Sequence, residues 1–150
     1  MTLAEAIAKA LGLGAAALAL LACAGCAERD GPAEATYASR RDAQKANAIA
    51  EGRLPPWMPG SARELREARD PGTTRSMLAF HYDRPDRLSI PGSCAETADV
   101  PAAPFRLSWW PRDLASDSAA TRRYVLYACE SGRAFLAIRV GSGEAYYWRP

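Results

Sequence analysis

Two cysteines, Cys23 and Cys26, lie three positions apart in the stretch CAGC, a spacing that can form a redox pair or attach a haem. A thioredoxin-type pair needs a preceding strand and a helix that begins at the first cysteine, because the helix end lowers the pKa of that thiol. Here a Leu/Ala run precedes the pair, and Ala27 stands where haem attachment needs histidine. Neither chemistry is therefore predicted.

The residues before Cys23 are typical of an export signal. Lys9 precedes an uncharged segment at 11–22, which fits a signal peptide and is too short to span a bilayer. The sequence LLAC at 20–23 resembles the lipobox of bacterial lipoproteins. This resemblance implies that residues 1–22 are removed as a signal peptide and that Cys23 receives the lipid, which would anchor the chain to a membrane.

Two alternatives to this anchor stay open. Cys26 follows small residues, Ala24 and Gly25, and is the rival lipidation site. The uncharged run can also be counted from 10 to 27, which reaches the lower limit for an uncleaved spanning helix. Ala24 is not the aspartate that retains some lipoproteins at the inner membrane, so the outer membrane is favoured over the inner one.

Cys94 and Cys129 are the remaining two of the four cysteines. An exported chain reaches an oxidising compartment, where paired cysteines form disulfides and few thiols stay free. We therefore predict a disulfide between Cys94 and Cys129.

His81 is the only histidine, so a site with several histidine ligands is excluded. The sequence contains no G-x-S-x-G nucleophile motif. The spaced aspartates lie beside Pro or Ser in turn-like sequence, where turn and capping roles are expected. We predict no catalytic residue, metal or cofactor, and no enzymatic activity.

Neighbouring aromatic residues at 109–110 and 146–148 would point to opposite faces of a strand, so that all of them cannot face one core. Trp110, Tyr147 and Trp148 could then form an exposed platform for a glycan or a protein. The alternative, which we favour, is that a second layer covers that face, because exposed aromatic patches are uncommon on monomers.

The pattern of the mature chain predicts one α+β head domain over 37–150, which follows a lipidated tether at 23–36. Capping boxes at Ser39 and Ser61 predict two short N-terminal helices, the second within SARELREAR. Alternation then predicts strands from RSMLAFHYD onwards, with three strands in the last 28 residues. We expect the two helices to pack on a four- to five-stranded antiparallel sheet.

Residues 51–83 resemble the head domain of small, uncharacterised bacterial membrane-anchored proteins of the YbbD type. Arg53 and the DPGTT turn depart from the family pattern, which has Trp and an Asp-Thr-Asn turn. The resemblance implies a small domain on a membrane anchor and brings no established activity. The positions that fit are Gly52, Leu54, Pro55, Pro59, Ser61, Ala62, Leu65, Glu67, Thr73 and Phe80.

These features predict an envelope lipoprotein that is a binding or structural module, with an envelope protein or a glycan as its partner. The formal net charge of +2 gives no electrostatic case for nucleic acid. A small cell-wall or glycan hydrolase is one alternative, and a pocket that joins His81 to a carboxylate would favour it. An inhibitor of a secreted enzyme is another, and it would show a protruding loop at 92–104.

Overall fold

The computed structural model describes residues 31–83, 88–115 and 122–150, and residues 31–150 form one compact unit. None of the helices in these ranges is long and apolar enough to cross a membrane. A 3-10 turn at Glu130–Gly132 follows the fifth strand. The other elements are β1 (Ala33–Ser39), α1 (Arg40–Lys45), β2 (Arg63–Arg69), β3 (Ser76–His81), β4 (Cys94–Glu96), α2 (Arg112–Ala115), β5 (Tyr124–Cys129), β6 (Ala134–Arg139) and β7 (Glu144–Arg149).

All seven strands form one antiparallel sheet in the order β1-β2-β3-β7-β6-β5-β4. The expected fold of two helices on a four- to five-stranded sheet is therefore wrong. The three strands predicted at the end of the chain are present as β5, β6 and β7. The first strand includes residues 33–36, which the sequence analysis places in the tether.

The segment SARELREAR is the main error, because it forms β2 and not a helix. Strands pair with it on both sides, β1 along one edge and β3 along the other. These long-range hydrogen bonds override a local helical pattern only nine residues long. Ser61 does not cap a helix: its hydroxyl accepts a hydrogen bond from the backbone of Asp83 at 3.2 Å.

The first predicted helix is present but short. The Ser39 hydroxyl accepts a hydrogen bond from the Asp42 amide at 3.2 Å, which is the cap that the sequence predicts. The helix ends at Lys45, and Asn47 then adopts a left-handed φ of 57°. Hydrogen-bonded turns follow over residues 46–52, because a left-handed residue interrupts the α-helical backbone.

Both faces of the sheet are covered, which explains why four consecutive residues are buried in β3, β6 and β7. We call the covering segments the proline segment (residues 43–62) and the tryptophan segment (residues 100–114). The proline segment packs on the face that carries Leu65, Leu78, Phe80, Leu136 and Tyr147. The tryptophan segment packs on the opposite face, against Met77, Tyr124, Phe135, Tyr146 and Trp148.

The tryptophan segment forms no strand, although alternation at 105–109 favours one. A turn bends it, in which the Trp110 amide donates to the Leu107 carbonyl at 3.2 Å. Two side chains fix it to the sheet: Trp148 Nε1 donates to the Pro101 carbonyl at 3.1 Å, and Arg75 Nη2 donates to the Pro104 carbonyl at 2.9 Å. The segment thus supplies the second layer over this face.

Candidate functional site

A cavity of about 220 Å³ opens at the edge of the tryptophan segment, where β2 contains a bulge. Between Arg63 and Arg66 the pairing with β3 shifts by one residue, and Glu64 adopts a left-handed φ of 52°. Bulges of this kind bend a strand and redirect its side chains, and they are frequent next to functional sites. The residues that line this His81 cavity are Glu64, Arg66, Ala79, Phe80, His81, Trp109 and Tyr146.

The bulge brings a carboxylate next to the only histidine. Nε2 of His81 lies 3.8 Å from Oε2 of Glu64. This distance suits an ion pair when the imidazole is protonated and is too long for a hydrogen bond. The side chains of His81 and Glu64 are 39% and 69% exposed, so both can reach a molecule that enters from solvent.

Aromatic rings form the other wall of the His81 cavity. Trp109 is half-buried, and its Nε1 donates a hydrogen bond to Oε2 of Glu34 at 2.9 Å, which fixes the indole. Tyr146 is buried, and its hydroxyl donates to Oε2 of Glu144 at 3.2 Å. Burial raises the pKa of Tyr146, and the charge of Glu144 adds to this effect. The phenol therefore stays protonated at neutral pH.

A polar network continues from Tyr146 along the same end of the sheet. Glu144 pairs with Arg139 at 2.8 Å, and Nη2 of Arg139 donates to the Tyr124 hydroxyl at 2.9 Å. The Tyr124 hydroxyl in turn donates to Asp113 at 3.1 Å. Burial raises the pKa of Tyr124, with a smaller contribution from the charge of Asp113. Glu144 is engaged by Arg139 and Tyr146, whereas the exposed Glu64 lines the His81 cavity and can meet a ligand there.

The side chains that line the His81 cavity determine the chemistry available there. Its described lining contains no serine, threonine or cysteine that could act as a nucleophile. In the described part of the chain, no group of three or more His, Cys, Asp or Glu side chains could hold a metal ion. What the lining offers is an indole, a guanidinium (Arg66), an imidazole and a carboxylate, which together can bind a small polar ring.

The three aromatic residues that could have formed an exposed platform are buried. Trp110, Tyr147 and Trp148 have exposed fractions of 5%, 4% and 0%. Trp110 and Trp148 contact each other under the tryptophan segment, with ring centroids 5.7 Å apart, whereas Tyr147 packs on the opposite face against Trp57. These three side chains thus fit the alternative in which a second layer covers the sheet, because each face of the sheet has its own covering segment.

Two of the four cysteines lie among the residues that the structure describes, and two lie outside them. A disulfide joins Cys94 to Cys129, as predicted, and the two residues are directly opposite each other on β4 and β5. Cys23 and Cys26, the candidate lipidation sites, lie outside the described residues.

Most of the His81 cavity escapes sequence reasoning. His81 is singled out because it is the sole histidine. Glu64 is predicted as the partner of Ser61 in a helix capping box, and Arg66, Trp109 and Tyr146 carry no motif. The bulge that turns Glu64 toward His81 is invisible once the segment is taken as a helix. Alternation across 76–82 does indicate correctly that His81 lies on the face opposite Leu78 and Phe80.

Part of this chain is similar to a known family. Residues 32–81 match the YbbD head domain. The match confirms the resemblance to that family and extends it toward the amino terminus, over about a third of the 150 residues. No curated protein and no solved structure gives a significant match.

The YbbD head match contains β1, α1, β2 and β3, and so includes the bulge and His81. The other wall of the His81 cavity comes from outside it, since Trp109 and Tyr146 follow residue 81. The three matched strands form one side of the sheet and join the rest through the pairing of β3 with β7. The His81 cavity therefore lies where the matched residues meet the remainder of the sheet.

Proposed function

We propose that this protein is a non-catalytic binding module of the bacterial envelope, which holds one saccharide unit of an envelope glycan in the His81 cavity. The observation that carries the proposal is the composition of that cavity, in which the indole of Trp109 stands beside Arg66, His81 and Glu64. An indole offers a flat apolar face to the C–H groups of a sugar ring, and the polar groups can bond its hydroxyls.

The size of the His81 cavity supports a single ring. About 220 Å³ is below the range of roughly 300–1,000 Å³ that is usual for drug-sized ligands. The fixed geometry supports binding as well, because Glu34 holds Trp109 and Glu144 holds Tyr146. A lining that is ordered before the ligand arrives loses less conformational entropy on binding.

The envelope location rests on the LLAC lipobox and on the YbbD head match. We propose lipid attachment at Cys23 and an outer-membrane position, with the head domain facing the periplasm.

In cells grown with labelled palmitate, the Cys23→Ser variant should lose the label and accumulate as a larger precursor. The Cys26→Ser variant is the matched control and should keep the label. The opposite pattern would move the anchor to Cys26, and labelling of neither wild type nor control would favour an uncleaved helix.

A cell-wall or glycan hydrolase is the second candidate, and the pairing of His81 with Glu64 inside a cavity is the observation that favours it. Glycoside hydrolysis uses two carboxyl groups. Glu144 could act as the second carboxyl group beside Glu64, but it is engaged by Arg139 and Tyr146. The inhibitor alternative has no such support. An inhibitor would show a protruding loop at 92–104, but part of this loop forms β4. The carbonyls of Pro101 and Pro104 accept hydrogen bonds from the side chains of Trp148 and Arg75, which hold the loop against the sheet.

The binding proposal is tested by calorimetric titration of the purified full chain with muramidase-released disaccharide peptides. We expect Trp109→Ala to weaken binding about tenfold, because removal of a stacked ring costs about 1.4 kcal/mol. Trp109→Tyr keeps an aromatic face and should bind within about threefold of wild type. Lys45→Ala, which removes an exposed cation that is not among the lining residues, serves as the control. Equal affinities for Trp109→Ala and wild type would contradict the assignment of the His81 cavity.

A further inference from the structure

A second cavity lies within the tryptophan segment, between residues 102 and 112, and we call it the Trp110 cavity. Its volume of about 610 Å³ is within the range of roughly 300–1,000 Å³ that is usual for small-molecule sites. It shares no lining residue with the His81 cavity. The two neighbouring tryptophans thus belong to different cavities, since Trp109 lines the His81 cavity and Trp110 lines this one.

Most of the residues that line the Trp110 cavity are apolar. Phe105 and Leu107 are half-buried and pack against the core on this face of the sheet, and Trp110 is buried. The ring of Phe105 is held in place by Arg75, whose guanidinium carbon lies 5.2 Å from the ring centroid. These side chains can bind the apolar part of a ligand and exclude water from it.

The charged side chains of the lining are both positive. Arg106 and Arg112 are exposed and line the cavity, and none of the described lining residues is acidic. The carboxylate of Asp113, the next residue in the chain, is engaged elsewhere. It accepts a hydrogen bond from the Tyr124 hydroxyl at 3.1 Å and lies 3.5 Å from Nη1 of Arg123. The Trp110 cavity is therefore complementary to a ligand with a negative charge.

Two donors of the lining have no acceptor among the described residues. Nε1 of Trp110 is buried and has no hydrogen-bond partner there, although a buried indole N–H usually finds one. Arg106 makes no hydrogen bond or ion pair with the described part of the chain. An oxygen atom of a ligand in the cavity would supply the missing acceptor.

We propose that the Trp110 cavity binds a medium-chain fatty acid or a closely similar amphipathic carboxylate. The apolar chain packs against Phe105, Leu107 and the ring of Trp110, and the carboxylate accepts hydrogen bonds from Arg106 and Arg112. A carboxylate has two oxygens with about four acceptor sites, so it can also accept a hydrogen bond from the indole N–H. Because the two cavities share no lining residue, this site does not depend on saccharide binding at the His81 cavity.

The location of the site is tested by nuclear magnetic resonance titration of the ¹⁵N-labelled full chain with decanoate, at concentrations too low for micelles to form. We expect a saturable shift of the Trp110 indole N–H that is larger than the shift of the Trp109 indole N–H. Decyltrimethylammonium has a chain of the same length and the opposite charge, and should bind at least about tenfold more weakly. A larger shift at Trp109, or equal binding of the two amphiphiles, would overturn the proposal.

Calorimetric titration of variants tests the roles of charge and of space. Arg106→Gln should weaken decanoate binding about tenfold, because a charge-assisted hydrogen bond is lost. Arg41→Gln removes an exposed arginine outside the lining and should bind within about twofold of wild type. Ala102 is an exposed lining residue, so Ala102→Trp should occupy the cavity and abolish saturable binding, whereas Ala102→Ser should match wild type. Equal affinities for the two glutamine variants, or unchanged affinity in Ala102→Trp, would contradict the site.

An anionic membrane surface is another source of negative charge, and sedimentation with phosphatidylglycerol vesicles distinguishes it from a free fatty acid. We expect decanoate to bind when no vesicles are present. A chain that sediments with the vesicles but shows no saturable response to decanoate would overturn the fatty-acid site and favour a membrane-binding surface.

Discussion

Replacing Cys94 with serine should lower the melting temperature of this protein by about 10–15 °C. The disulfide closes a loop with a sequence separation of 35. The loop-entropy relation gives roughly 3–4 kcal/mol for such a loop, and a domain of this size loses about 3–4 °C per kcal/mol. The bridge also ties β4, a three-residue strand at the sheet edge, to β5. Thermal unfolding followed by circular dichroism measures the change.

Cys129→Ser should be destabilised at least as much as Cys94→Ser, because Cys129 is only 2% exposed and its sulfur packs in the core. A reductant should destabilise the wild type and leave either serine variant almost unchanged, which separates the effect of the bridge from the effect of the substitution. Two free thiols in the exported wild-type protein, detected by mass spectrometry of non-reduced peptides, would contradict the pairing.

Replacing Arg53 with methionine should cost about 3 kcal/mol of unfolding free energy. Arg53 lies on the proline segment, and its Nη1 donates to Oε2 of Glu67 on β2 at 3.0 Å. Glu67 is 2% exposed, and its Oε2 also accepts a hydrogen bond from the Tyr37 hydroxyl at 3.1 Å. Without Arg53, the buried Glu67 keeps only a longer contact with Arg69, whose Nε lies 3.6 Å from its Oε1, and loss of a partner from a buried pair costs more than the pair contributes. Urea unfolding at pH 7 measures the loss.

The double variant Arg53→Met with Glu67→Leu should regain most of that stability, because two apolar side chains replace the buried pair. Arg63→Met is the matched control. It breaks the ion pair between Arg63 and Asp83, whose side chains are 47% and 62% exposed, respectively. Because both side chains are exposed, the unfolding free energy should fall by less than about 1 kcal/mol. Equal losses for Arg53→Met and Arg63→Met would show that the buried position of Glu67 does not matter.

The strand-rich second half of the chain could be predicted because its strands are joined by short hairpins. Residues 124–149 form three consecutive antiparallel strands, and the turns at 130–133 and 140–143 are local. Local connections leave a clear record of alternation and turn residues in the sequence. The disulfide could be predicted for another reason, since Cys94 and Cys129 were the only cysteines in the head domain.

The first half could not be predicted in the same way, because its strands depend on distant partners. β2 lies between β1 and β3, and its bulge disturbs the two-residue alternation that would otherwise mark a strand. Leu65 and Ala68 are buried on opposite faces, yet their three-residue spacing also fits one face of a helix. Arg53 illustrates the same limit: its position gives no sign of the buried Glu67 that it pairs with.

One part of the His81 cavity could be predicted from the sequence, and the other part could not. His81 could be found from its uniqueness and placed on the correct face by alternation. Trp109 could not, because it reaches the cavity from the irregular part of the tryptophan segment, and the alternation at 105–109 indicated a strand that is absent. A site built from a bulge and a covering loop depends on tertiary contacts that no short sequence pattern records.

The most direct test of the binding assignment is a nuclear magnetic resonance titration of the ¹⁵N-labelled full chain with muramidase-released disaccharide peptides, followed by analysis of the recovered saccharide. We expect saturable shifts at the Trp109 indole and at the amides of Glu64 and His81, with the saccharide recovered unchanged. Shifts confined to other parts of the sheet would contradict the His81 cavity as the binding site. Cleaved saccharide that is lost in His81→Ala would contradict the non-catalytic role and establish the hydrolase.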